Sequence, residues 1–125
     1  MPEKSLITVI ETPEFISDAK RLMGDVERWA LINAVAADPE KGDLIVGTGG
    51  ARKLRWARPG KGKSGGFRVV YFFHSPDVPV FLLAIFAKNE RVNLSQAERN
   101  ELAKELNGLV RVYPKPRVAA GKRKR

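Results

Sequence analysis

The sequence predicts an α+β domain: an antiparallel sheet with an N-terminal helical hairpin and a C-terminal helix. Three observations carry this. Two adjoining segments before Pro39 repeat apolar residues at helical spacing. Three β-branched and aromatic runs then follow one another across short Gly, Pro and Lys connections between Ala51 and Ala87. A last helical repeat lies beyond Ser95. The chain has 125 residues and 43% hydrophobic content, enough for one modest core.

Leu6 to Glu11 is apolar and β-branched and reads as a first strand. Thr12-Pro13-Glu14 is a helix start, with a capping hydroxyl, proline in the first turn and an acid behind it. Phe15, Ile16, Ala19, Leu22 and Met23 form the apolar stripe of that helix. After Gly24-Asp25, Val26, Trp29, Ala30 and Ala37 suggest the stripe of a second helix, ending before Pro39. Asp38 to Asp43 has turn composition, Leu44-Ile45-Val46 is a short apolar stretch, and Gly47-Thr48-Gly49-Gly50 reads as a flexible loop.

From Ala51 to Arg58, Leu54 and Trp56 alternate with Lys53 and Arg55, giving a strand with one apolar and one basic face. A Gly/Lys loop, Pro59 to Gly66, leads to a strand from Phe67 to Phe73. Val80 to Ala87 is almost wholly apolar, as expected of a central strand buried on both faces. Ser95-Gln96-Ala97-Glu98 is a capping box opening a helix into the Leu109 region, with Leu102, Ala103, Leu106, Leu109 and Val110 as its stripe. The expected organisation is one domain over 1–112 and a basic, flexible tail over 113–125.

The formal charge is +9, and it is concentrated. No Asp or Glu lies between Leu44 and Pro76, a window holding Arg52, Lys53, Arg55, Arg58, Lys61, Lys63 and Arg68. The tail adds Lys115, Arg117 and Lys122 to Arg125, and what remains is net acidic. Clustered cations of this kind favour a polyanion, because each neutralised phosphate releases condensed counterions. The central block lacks the apolar helical face of an interfacial anchor, so a membrane partner is not expected.

Lys53 and Arg55, two apart on a strand, share a face, and Arg68 follows across the loop. Three cations on adjacent strands would hold a phosphodiester, with Arg58, Lys61 and Lys63 on the rim and Phe67 or Phe86 placed to stack a base. The plainer alternative is a solvated sheet face whose lysine-rich loop blunts aggregation. Other chemistries fall away. There is no cysteine for a disulfide, a thiolate metal site or a nucleophile. His74 is the only histidine, which leaves no metal constellation and no Ser/His/Asp arrangement. Gly62-Lys63-Ser64 resembles the end of a P-loop, but Ala57 stands where its first glycine is needed and a strand follows. Met1 to Lys4 carries both signs of charge without a leader-like apolar run, so a cytoplasmic chain is expected.

Three ordered motifs resemble those of RelE/HigB-type toxins: Gly42-Asp43-Leu44-Ile45-Val46-Gly47-Thr48-Gly49-Gly50-Ala51-Arg52-Lys53-Leu54-Arg55, Gly60 to Tyr71, and Leu82-Leu83-Ala84-Ile85-Phe86-Ala87-Lys88-Asn89-Glu90. The resemblance spans about Val26 to Leu106 and implies a RelE-like microbial RNase-type fold. It further implies a toxin of a type II toxin–antitoxin system, a ribosome-dependent mRNA interferase cutting in the A site. In such enzymes, without a metal or other cofactor, the 2′-hydroxyl attacks its own 3′ phosphate.

Carried onto this chain, the resemblance makes Lys53, Arg55 and Arg68 catalytic. Arg68 is expected to stabilise the phosphorane and Lys53 or Arg55 to serve the attacking hydroxyl. Arginine stays protonated and is a poor base, which favours Lys53. The best-known RelE toxins have an arginine and then a tyrosine after the fourth strand, where this chain has Asn89 and Ser95. The Lys88-Asn89-Glu90 triplet resembles a HigB-like branch and puts Lys88 forward as general acid. Arg52, Arg58, Lys61, Lys63, Phe67 and Asn89 are expected RNA contacts. The implied partners are a HigA-like helix-turn-helix antitoxin, which alone would reach operator DNA, and the 70S ribosome with its mRNA. Two rival readings are a non-catalytic toxin of the same fold, like the gyrase-inhibiting ParE branch, and a plain nucleic-acid-binding module.

Overall fold

A computed structural model describes residues 6–57, 66–87 and 94–112. Strand β1 (Val9–Glu11) leads into helices α1 (Pro13–Leu22) and α2 (Asp25–Ala37). Strands β2 (Asp43–Leu44), β3 (Ala51–Trp56), β4 (Phe67–Phe72) and β5 (Val80–Ala87) follow, and helix α3 (Gln96–Val112) comes last. The five strands form one sheet in the order β1-β5-β4-β3-β2. The expected α+β architecture is present, with two differences. β1 pairs with β5 in parallel, so the sheet is mixed, and Asp43, from the expected turn, joins Leu44 in a two-residue edge strand beside β3.

Strand parity divides the core. Phe67, Val69 and Tyr71 of β4 point towards α1 and α2, joining Phe15, Leu31, Val35 and Leu54. Val70 and Phe72 point the other way, towards α3, and pack with Val78, Phe81, Phe86 and Leu106. With all six of its residues buried, β4 is the middle of the sheet. β5 is interior too, but it changes phase: Val70 faces Ala84 and Tyr71 faces Leu82, leaving Leu83 as an extra residue. This irregularity is why Leu82 and Ile85, three apart, enter the same core.

Thr12 joins helix to sheet. Its hydroxyl accepts from the Phe15 N–H at 3.3 Å and donates to the Leu82 carbonyl at 2.8 Å. It therefore caps α1 and fixes the helix against β5. Thr12→Ala is expected to cost about 1–2 kcal/mol, the upper range for a lost cap. Urea unfolding monitored by circular dichroism would check this, and an unchanged midpoint would refute it.

In α2 the expected stripe is wrong. Val26 and Trp29 are 86% and 62% exposed, while Leu31, Val35 and Ala36 are buried. Apolar residues lie nearly all round this helix, and the bulkier aliphatic set turns inward. Arg28 reinforces the rotation by a two-point ion pair with Glu11 of β1, at 2.7 and 3.0 Å. On α3 the capping box forms as expected: Ser95 Oγ accepts from the Glu98 N–H, and the Glu98 carboxylate accepts from the Ser95 N–H.

The Gly47 to Gly50 stretch is a pinned hairpin tip rather than a flexible loop. Thr48 is fully buried, donates to the Ile45 carbonyl at 2.7 Å and accepts from the Ala51 N–H at 3.1 Å. Gly50 has φ +132°, and a Cβ there would lie 2.8 Å from the Phe72 ring.

Candidate basic groove

Register brings the three principal cations together. Arg55 of β3 lies directly opposite Arg68 of β4, and Lys53 lies opposite Val70. All three side chains therefore share the sheet face that looks towards α3. Cross-strand partners have Cβ atoms about 5 Å apart and diagonal neighbours about 7–8 Å, which is the span of one phosphodiester and its neighbours. Arg55 is exposed, Lys53 is half-buried, and Arg68 is 8% exposed. Phe86 of β5 is the other cross-strand neighbour of Arg68, so the guanidinium sits over an apolar floor.

Like charges directly opposite one another destabilise a sheet. A nearly buried arginine facing a second arginine is therefore an arrangement that gains from a bound anion. Ala57 and Ala87 lie at this same end of the sheet, next to the Trp56–Phe67–Ala87 pairing. Arg58, Lys61, Lys63, Lys88 and Asn89 lie outside the described residues, as does the tail.

Two expected RNA contacts are not in this groove. Phe67 is 4% exposed, on the opposite face, and packed in the core under α1 and α2. It adjoins Arg68 in sequence, and neighbouring residues on a strand point to opposite faces. Arg52 is excluded by the same parity from the face of Lys53. Its guanidinium donates to the Gly42 carbonyl at 2.7 Å and the Glu40 carbonyl at 3.1 Å, so it holds the turn before β2. Phe86 has the right face but is 5% exposed and contributes to the floor rather than to base stacking. His74 lies beyond the far end of β4 and stacks on Phe72, with ring centroids 6.1 Å apart. It lies six positions along the chain from Arg68, about 20 Å in extended backbone.

Tyr71, opposite Arg52, completes the support of this turn. Its hydroxyl donates to the Pro39 carbonyl at 2.7 Å and accepts from the Gly42 N–H at 2.8 Å. Burial raises the phenol pKa above its ordinary 10.0, against the opposing effects of the Gly42 hydrogen bond and the Arg52 charge. The turn in turn sets β2, and Asp43 of β2 lies directly opposite Lys53.

The residues around the cations differ sharply from one side to the other. Towards α1 and α3 there is a groove of about 540 Å³ whose lining includes Glu14, Glu98, Glu101 and Glu105. Its carboxylates would repel a polyanion. A polyanion would therefore be favoured on the β3 and β4 side.

A sequence profile for the RelE toxin of the RelE/RelB toxin–antitoxin system matches residues 17–116. Among solved structures, the free-state structure of an E. coli RelE toxin carrying two arginine-to-alanine substitutions is similar. It superposes with a TM-score of 0.51 at 19% identity, covering 81% of this chain and 97% of that one. At that identity the superposition speaks for the fold, and the profile for the family: this chain belongs to the RelE toxin family of toxin–antitoxin systems.

Proposed function

We propose that this toxin is a ribosome-dependent mRNA endonuclease acting in the A site in the cytoplasm, neutralised by a HigA-like helix-turn-helix antitoxin. The observation that carries the reading is the shared face of Lys53, Arg55 and Arg68, with Arg55 and Arg68 directly opposed. A chain that keeps two facing arginines at the middle of its sheet gains from an anion between them, and in a translating ribosome mRNA supplies a phosphodiester chain.

In this reading the 2′-hydroxyl attacks the adjacent phosphorus, and the bond to the 5′ oxygen breaks. The products are a 2′,3′-cyclic phosphate and a 5′-hydroxyl. Arg68 and Arg55 bind the equatorial oxygens and take up the charge that grows there. Lys53, next along the same face, accepts the proton of the attacking hydroxyl, and Lys88 protonates the leaving oxygen. Holding the reacting groups in line contributes alongside charge stabilisation.

The test is toe-print mapping of a reporter mRNA with and without translating ribosomes. Cuts at A-site codons only with ribosomes present are the expected result. Intact mRNA in cells whose growth the toxin arrests would overturn the reading.

A further inference from the structure

We infer that Arg99, on the first turns of α3, is a phosphate ligand at the edge of the basic groove. The inference rests on the RNA-cleaving reading and extends its substrate path. A recess of about 190 Å³ lies beside β2, and Asp43, Ile45, Lys53, Leu94 and Arg99 are among the residues lining it. That is the liquid volume of roughly six waters, room for one phosphodiester but not for a helix. Lys53 thus stands between Arg55 and Arg68 along the sheet and Arg99 from the helix.

Three features mark Arg99 as waiting for an anion. First, its Nε is buried with no hydrogen-bond partner among the described residues. An unpaired buried donor is costly, more so on a charged group. Second, Arg99 is the fourth residue of α3 after the Ser95 cap, and its N–H bonds to the Ser95 carbonyl at 3.0 Å. A cation there opposes the positive end of the helix dipole, so that end and the guanidinium would both favour the same anion. Third, among the described residues the recess brings two cations, Lys53 and Arg99, to one carboxylate, Asp43. A strand whose scissile phosphate lies between Arg55 and Arg68 would pass Lys53 and present a neighbouring phosphate to Arg99. The acidic groove on the other side of α3 closes the alternative route.

The experiment compares wild type with Arg99→Ala and Arg99→Lys. Lys104→Ala, an exposed cation on the same helix, is the control. Binding of an uncleavable single-stranded RNA, 2′-O-methylated at every position, is followed by fluorescence anisotropy over a salt series. Cleavage on programmed ribosomes gives KM and kcat, and thermal melts check folding. Arg99→Ala is expected to raise KM by about tenfold to a hundredfold, with a smaller fall in kcat. It should also reduce the slope of log affinity against log salt by about 0.7, the value for one phosphate contact on a single strand. Arg99→Lys should restore the slope and part of the affinity, since it keeps the charge but loses the fork. Lys104→Ala should leave the slope unchanged. A wild-type slope in Arg99→Ala, or a wild type that does not bind this RNA, overturns the inference. Binding without cleavage by wild type would instead sink the nuclease reading, and the slope would still decide the role of Arg99.

Discussion

Arg68→Ala is expected to lower the single-turnover rate of ribosomal mRNA cleavage by about 10²–10³, the loss typical of removing one donor to a developing oxyanion. The side chain is 8% exposed, in the central strand, opposite Arg55 and beside Phe86. A phosphate oxygen bound there is shielded from water, so the interaction is worth more than one made by a surface cation. Arg55→Ala should cost less, because Arg55 is exposed and water can partly replace it. Arg68→Lys should fall between wild type and alanine: the charge persists while the two-point geometry is lost.

Folding should not confuse this result. Removing Arg68 takes away the burial of its aliphatic stem, but it also removes a directly opposed like-charge pair, worth roughly 0.2–1 kcal/mol in the opposite direction. The melting temperature of Arg68→Ala should therefore stay within a few degrees of wild type. A folded Arg68→Ala that cuts at the wild-type rate would remove the groove from the mechanism. Reduced growth arrest without any change in cleavage would move attention to another target of the toxin.

The parts of the molecule that were legible in the sequence are those set by local rules. The Thr12-Pro13 helix start, the Ser95–Glu98 box and the Val80–Ala87 strand all depend on residues within a few positions of each other. The common face of Lys53 and Arg55 also follows from strand periodicity alone. The same periodicity argues against Phe67 as a partner of Arg68, and Arg52 as a partner of Lys53, since neighbours on a strand diverge. What local rules could not supply is long-range. The parallel pairing of β1 with β5 joins residues some seventy positions apart. The extra residue Leu83 is hidden in a run where every residue is apolar, so alternation has nothing to reveal. The rotation of α2 is set by packing and the Arg28–Glu11 pair. Arg99 reads in sequence as an ordinary exposed helix cation, and only the docking of α3 brings it to Lys53.

The turn before β2 is expected to carry a large stability effect away from the cations. Tyr71 is fully buried, and its hydroxyl bridges the Pro39 carbonyl and the Gly42 N–H. Tyr71→Phe strands both partners and should cost about 1–3 kcal/mol. Gly42→Ala attacks the same joint sterically. Its Cβ would lie 3.0 Å from the Lys53 carbonyl oxygen and 3.0 Å from the Tyr71 hydroxyl, and the Lys53 backbone is held inside the sheet. Overpacking of this kind costs about 1–3 kcal/mol. The two effects are separable by pH. The phenol has a higher pKa folded than its ordinary 10.0, so its contribution is complete below pH 10 and is lost as pH rises through the folded value. Wild type and Gly42→Ala should both lose stability above pH 10 by this route, whereas Tyr71→Phe should lack that component. Because Asp43 of β2 pairs with Lys53, both variants should also slow cleavage by loosening the Lys53 side of the groove. Urea midpoints measured from pH 7 to 11, with cleavage rates for the same proteins, test the joint. Equal alkaline loss in wild type and Tyr71→Phe would show that the buried phenol is not what holds the turn.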